Sequence, residues 1–183
     1  SFDNTFTIND LAVYNKNDNN LYLCVATEDY VQIQQWDGQQ FNTKGTLDTH
    51  STGTVNCVTW WIDTLNPSYT AYIATADQNN KVTIYGLDNN FLFTKIDSQT
   101  VGTEPLTSML WYVRTDEMGN ITLLDLVAGS TLNSSVYTIN VDPTSKVMQT
   151  TQVTARSLPM GGLSTCNDYL AIGDYGATSN AAI

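Results

Sequence analysis

Short apolar runs alternate with polar clusters along the whole chain, and no long apolar stripe recurs at helical spacing. The runs are rich in Val, Ile, Thr, Tyr and Trp, whereas the clusters are rich in Asn, Asp and Gly, as at 17–20, 78–80 and 88–90. Runs of β-branched and aromatic residues bounded by turn residues are typical of antiparallel strands. The pattern therefore predicts an all-β chain.

The predicted strands recur in a fixed order. Copies of a first strand begin at residues 8, 55, 106 and 160, so successive copies are 47, 51 and 54 residues apart by subtraction. A second strand with a small Ala follows at 25–29, 73–77, 127–130 and 170–174. A third follows at 31–37, 82–88 and 136–142, and a fourth at 41–47, 91–96 and 147–153. Four strands in a unit of roughly 40 to 50 residues are typical of a β-propeller blade.

These repeats predict a single β-propeller segment over residues 1–183. Its units lie approximately at 8–54, 55–105, 106–159 and 160–183, and the last unit is truncated. Three and a half blades are fewer than the roughly four to eight of a closed ring. We therefore expect a propeller that is incomplete, or one that another chain completes.

The second unit resembles the WD-repeat family of propellers. His50 precedes its first strand, although Thr49 stands where the family usually has Gly, and Asp77 falls where the second strand turns. In that family a His, a Ser or Thr, an Asp and a Trp form a hydrogen-bonded set inside the blade. The resemblance implies this role for His50, Thr75 and Asp77, with Tyr85 in place of the Trp.

The first unit carries the dipeptide that names the family, Trp36-Asp37, at the end of its third strand. The segment 36–41 also resembles propellers whose blades end in Trp-x-Gly-x-x-Phe, which are often extracellular. Both resemblances imply the same architecture.

The charge is sparse and acidic, with 18 Asp and Glu against 7 Lys and Arg and a net charge of -11. Binding to nucleic acid needs clustered Lys and Arg, which this sequence lacks, so we expect no nucleic-acid partner. No apolar run approaches the roughly 18 residues that a membrane span needs. The simplest interpretation of the acidic charge is that it keeps the protein soluble, and the more specific alternative is that it binds a basic partner.

No combination of residues predicts a catalytic, metal or cofactor site. His50 is the only histidine, and neither a Cys-x-x-Cys pair nor a Gly-x-Ser-x-Gly motif occurs. Glu28-Asp29 and Asp116-Glu117 are the carboxylate pairs that a glycosidase could use, but adjacent residues on a strand point to opposite faces.

The three cysteines, Cys24, Cys57 and Cys166, are odd in number and adjoin apolar runs. We expect buried free thiols, and a disulfide stays open for a secreted chain. Unpaired thiols slightly favour the cytoplasm, whereas the Asn- and Thr-rich composition leaves a secreted or cell-surface location open.

The function predicted from the sequence is a non-catalytic scaffold that binds a protein or peptide partner. The first alternative is a secreted or cell-surface carbohydrate-binding propeller that uses aromatic residues of Trp60-Trp61 or Trp111-Tyr112, although packing between blades explains these pairs more simply. The second is a fragment of a propeller hydrolase, with catalytic candidates at Asp29, Asp77, Asp116 and Asp174.

Overall fold

The computed structural model describes residues 7–16, 20–49, 53–64, 68–130, 132, 135–155, 160–166 and 169–174. Within these ranges it has fourteen β-strands and no helix, which confirms the all-β prediction. The strands form three four-stranded sheets and one two-stranded sheet, all antiparallel and each in the order of the sequence.

The first sheet consists of β1 (Ile8–Lys16), β2 (Asn20–Thr27), β3 (Tyr30–Trp36) and β4 (Phe41–Asp48). The second consists of β5 (Val55–Trp61), β6 (Ala71–Asp77), β7 (Lys81–Leu87) and β8 (Phe93–Thr100). The third consists of β9 (Ser108–Thr115), β10 (Ile121–Gly129), β11 (Ser135–Val141) and β12 (Met148–Ala155). The fourth has β13 (Met160–Cys166) and β14 (Tyr169–Asp174) among the described residues. The assignment of repeat-unit boundaries stays a prediction.

One Asp closes the turn between the third and fourth strands of each four-stranded sheet. Asp37, Asp88 and Asp142 follow β3, β7 and β11, and each carboxylate accepts hydrogen bonds from two backbone amides of its own turn. These bonds stabilise the charged carboxylate, so they lower the pKa of Asp37 and of Asp142 below the usual value. The turns therefore supply locally the partners that the exposed backbone needs.

Neighbouring sheets pack face to face through apolar side chains. The first interface, between the first and second sheets, includes Ile33 and Ile73. The second interface, between the second and third sheets, includes Tyr72 and Leu126. The third interface joins the third and fourth sheets and includes Val127. Because strand residues alternate between two faces, β6 places Ile73 against the first sheet and Tyr72 against the third.

The first strands of neighbouring sheets begin side by side. The side-chain amide of Asn9 donates to the carbonyl oxygen of Val55 at 2.8 Å, and Asp10 accepts from the backbone amide of Val58 at 2.8 Å. Burial raises the pKa of Asp10, although this bond lowers it in part. We call the end at which β1, β5 and β9 begin the entry end, and the opposite end the far end.

Within the described part of the chain the sheets do not close into a ring. Leu11 and Val13 on β1 point away from the second sheet and are 47% and 65% exposed. The first sheet therefore presents an uncovered apolar strip.

Gly45 allows the backbones of the first and second sheets to approach closely. A Cβ atom at Gly45 would lie 2.3 Å from the carbonyl oxygen of Phe91 and 2.9 Å from its Cβ. Phe91 itself adopts the left-handed region with a φ of 62°. The contact is made by backbone and Cβ atoms, so a side-chain rotation cannot relieve it.

Gly45→Ala is therefore expected to lower the free energy of unfolding by about 1 to 3 kcal/mol, the usual cost of overpacking. Gly162→Ala is the matched control, because a Cβ there meets nothing within 4 Å. Urea denaturation of both variants measures the difference. Equal stability of the two variants would show that the first interface does not depend on this approach.

Candidate functional site

A buried polar set lies on the face of the second sheet that packs against the first. Thr75 on β6 pairs in register with Thr83 on β7. Asp77 follows Thr75 by two residues on β6 and Tyr85 follows Thr83 by two residues on β7, so all four side chains lie on one face of the sheet. The Asp77 carboxylate accepts hydrogen bonds from the backbone amides of Asn79 at 2.8 Å and Lys81 at 3.0 Å. Asp77 therefore holds the turn between β6 and β7, as the sequence predicted.

Tyr85 joins this set through Thr83. Burial raises the pKa of Tyr85, the hydrogen bond with Thr83 lowers it in part, and the charge of Asp77 raises it further. The resemblance implied a hydrogen-bonded set that includes Thr75, Asp77 and Tyr85, and it did not include Thr83, which is the residue that bonds Tyr85. The available signal was its position two residues before Tyr85, because strand alternation places residues i and i+2 on one face.

His50, the fourth residue implied by the resemblance, lies outside the described residues, so its role stays a prediction. Its neighbour Thr49 is buried, and its backbone amide donates to the carbonyl oxygen of Asp29 at 2.7 Å. The connection between the first and second sheets is thereby held against the β2–β3 turn. The Asp77 carboxylate binds two backbone amides of its own turn, so it stabilises the hairpin of β6 and β7.

Thr27 occupies the position at the end of β2 in the first sheet that Asp77 occupies at the end of β6 in the second. Strand register places Thr27 opposite Ile8 and Asp77 opposite Val55, and the Thr27 hydroxyl oxygen accepts from the amide of Tyr30 at 3.0 Å. The predicted alignment of the second strands, which matched Asp29 with Asp77, is therefore wrong by two residues. The physical reason is that Thr27 ends β2 and binds the amide of Tyr30 in the turn, whereas Asp29 lies within the turn itself.

The Trp36-Asp37 dipeptide belongs to a single hairpin turn. The Trp36 and Phe41 rings face each other across it, with centroids 5.0 Å apart, and Gly38 supplies a φ of 101°. The Trp-Asp dipeptide and the Trp-x-Gly-x-x-Phe motif, which share this segment, therefore both correspond to one hairpin turn.

The two carboxylate pairs lie at opposite ends of the sheets. Glu28-Asp29 forms the β2–β3 turn at the entry end, and Asp116-Glu117 lies in the β9–β10 turn at the far end. Asp116 accepts hydrogen bonds from the amides of Met118 and Asn120, which together with the Asn120 side chain lower its pKa. The structure does not bring the pairs together across one bond, as a glycosidase requires. The side chain of Asp174 lies outside the described residues.

The side chains of the adjacent aromatic pairs pack between neighbouring sheets. Trp60 packs at the first interface and Trp61 at the second, where Trp61 stacks on Tyr72 with centroids 5.5 Å apart and lies 5.6 Å from Trp111. Tyr112 packs at the third interface. The prediction that the two side chains of each pair pack on opposite faces of their sheet is confirmed. These residues pack between sheets and do not form a sugar-binding rim.

Cys24 and Cys57 are buried free thiols, as expected, and burial raises the pKa of each well above its usual value. The side chain of Cys166 lies outside the described residues. In the described part of the chain no group of three potential metal-ligating side chains comes together. No helix there is long and apolar enough to cross a membrane.

A buried carboxylate that the sequence did not single out is Asp125 on β10. The side-chain amide of Asn140 donates to it at 3.0 Å across the β10–β11 pair. Burial raises the pKa of Asp125, and this bond offsets the rise only in part. The pair joins two strands in the interior of the third sheet.

No family model and no curated protein matches the sequence. Solved structures do match. The WD40 repeats of RRP9 superpose with a TM-score of 0.60 at 13% identity, covering 93% of this chain and 46% of that one. Saccharomyces cerevisiae Sqt1 gives a TM-score of 0.55 at 13% identity, covering 82% of this chain and 36% of that one.

The chain has the fold of a WD40 β-propeller. Each four-stranded sheet corresponds to a blade, which confirms the predicted resemblance and architecture. Identity this low shows the fold alone. The chain spans less than half the length of either protein, so the activities and partners of complete propellers do not transfer to it directly.

Proposed function

We propose that this chain is part of a β-propeller scaffold that binds a protein or peptide partner. The main support is the use of the large aromatic side chains between blades, which leaves the turns at the two ends as recognition surfaces. Turns on a rigid framework are where binding residues concentrate. The absence of a catalytic role remains part of this proposal.

The far end fits a partner better than the entry end. Two exposed apolar side chains lie in its turns, Met118 at 83% and Leu92 at 64%. The turns at this end also carry five acidic side chains, at Asp37, Asp88, Asp116, Glu117 and Asp142. Apolar contacts within an acidic rim favour a peptide that carries an apolar side chain between basic residues.

Selection of displayed peptides against the immobilised chain tests this function. We expect basic peptides with an apolar residue, and we expect their affinity to fall as salt rises. Met118→Ser should weaken binding by about fivefold or more, because each 1.4 kcal/mol of lost contact is tenfold in affinity. Leu132→Ser is the matched control, since Leu132 is 65% exposed in a turn at the entry end.

Two results would contradict the proposal. Loss of binding in Leu132→Ser alone would move recognition to the entry end. Failure to select any peptide, together with sugar-dependent quenching of Trp fluorescence, would instead favour the carbohydrate-binding alternative.

We further propose that additional blades complete the ring, either elsewhere in a longer chain or in another chain. The uncovered Leu11 and Val13 strip on the first sheet supports this, because propellers bury both faces of each blade. Light scattering after size exclusion should give a mass above 20.2 kDa that rises with concentration. Substitution of both residues by Ser should reduce this association. A stable monomer at all concentrations would contradict completion of the ring by a second copy of this chain.

A further inference from the structure

Corresponding turns of the second and third blades each insert one side chain into the preceding blade. Phe91 in the β7–β8 turn and Lys146 in the β11–β12 turn both adopt left-handed backbone, with φ of 62° and 61°. Their amides donate back to the carbonyl oxygens of Asp88 and Asp142. In each turn the inserted residue is therefore bound to the Asp that begins the turn, three residues earlier for Phe91 and four residues earlier for Lys146.

The two inserted residues meet corresponding tyrosines. The Phe91 ring lies 5.8 Å from the Tyr22 ring at the first interface, and the Lys146 Nζ lies 5.1 Å from the Tyr72 centroid at the second. Tyr22 on β2 and Tyr72 on β6 both lie on the second strand of their sheets. The fold thus accepts either an apolar ring or an ammonium group at one position.

The second interface is specialised for a positive charge. Lys146 Nζ donates to Asp63 Oδ2 at 2.7 Å and to the carbonyl oxygen of Pro143, and it lies 5.2 Å from the centroid of Trp61. Both charged side chains are only 1% exposed. Aromatic faces attract alkylammonium groups, and a buried carboxylate is unfavourable unless a cation pairs with it.

We propose that Trp61, Tyr72 and Asp63 form a cation-binding pocket for an alkylammonium group, which Lys146 fills as a ligand tethered to the neighbouring blade. Phe91 shows that insertion into the preceding blade does not itself require charge. Asp63 and the two aromatic faces are therefore not needed for insertion of the turn residue, and we attribute them to binding of the ammonium group. If they form a genuine site, the pocket binds a free alkylammonium ion once the tether is removed.

Lys146→Gly empties the pocket without straining the backbone, because glycine adopts the left-handed region readily. We expect the midpoint of thermal unfolding to fall by about 5 to 20 °C, as for a broken buried ion pair. n-Butylammonium chloride at about 100 times its Kd should then raise the midpoint by about 5 to 10 °C. n-Butanol, sodium chloride at equal ionic strength, and the wild-type chain with n-butylammonium should show no such rise.

Phe91→Gly is the matched control at the first interface, since Phe91 occupies the corresponding turn with a nearly equal φ. It should lose stability without recovering it in n-butylammonium. The double variant Lys146→Gly/Asp63→Asn should also show no recovery, because the carboxylate that binds the ammonium group is gone. Equal recovery by n-butanol, or recovery of Phe91→Gly by the ammonium ion, would overturn the proposal.

Lys146→Met provides a second test if the glycine variant does not fold. Methionine keeps most of the length of the side chain but not its charge, so it leaves the Asp63 carboxylate buried and unpaired. We expect this variant to unfold at a lower temperature than the wild type, and addition of Asp63→Asn to restore part of the loss. A Lys146→Met protein as stable as the wild type would show that the pocket does not select a cation.

Discussion

Apolar packing between adjacent blades is the interaction on which the rest of the structure depends. A single four-stranded sheet whose residues are apolar on both faces cannot be stable alone in water, since it buries neither face. The second blade shows the solution most clearly. Every residue of β6 is buried, and alternate residues such as Ile73 and Tyr72 serve opposite neighbours. The chain behaves in this respect like a repeat protein, in which each unit depends on the next.

The polar features follow from this arrangement. Because the blade faces are committed to packing, carboxylates such as those of Asp37, Asp77 and Asp142 act at the turns, where they bind backbone amides. Where the ammonium group of Lys146 enters an interface, it contacts a carboxylate and two aromatic rings. Recognition is thereby left to the two ends of the blades, which is where the proposed function lies.

Much of the fold could be predicted because the controlling pattern is local. Alternation and turn residues are visible within a few positions, so the repeat of four strands and the turn role of Asp77 were predictable. The residue at which a strand ends is a weaker signal, and the prediction of Asp29 in the position that Thr27 occupies shows its effect. Phe91 was predicted to begin a strand, but β8 begins at Phe93 because Phe91 takes left-handed backbone and inserts between blades.

The contacts between blades could not be predicted in the same way. Lys146 and Asp63 are 83 residues apart, and no local pattern marks them as partners. Their pairing depends on the packing of two separate blades. The resemblance implied the polar set of the second sheet only through residues that match a family motif, so a residue outside the motif, Thr83, was missed.

The account's central claim is that blades are stabilised by their neighbours and not individually. Hydrogen exchange of the wild type and of Trp111→Leu tests it most directly, because Trp111 belongs to the third blade and packs at the second interface. The account predicts that amide protection falls across 108–155 and also in β6 and β7 of the second blade. Loss of protection confined to 108–155 would contradict it and would mean that each blade is stable on its own.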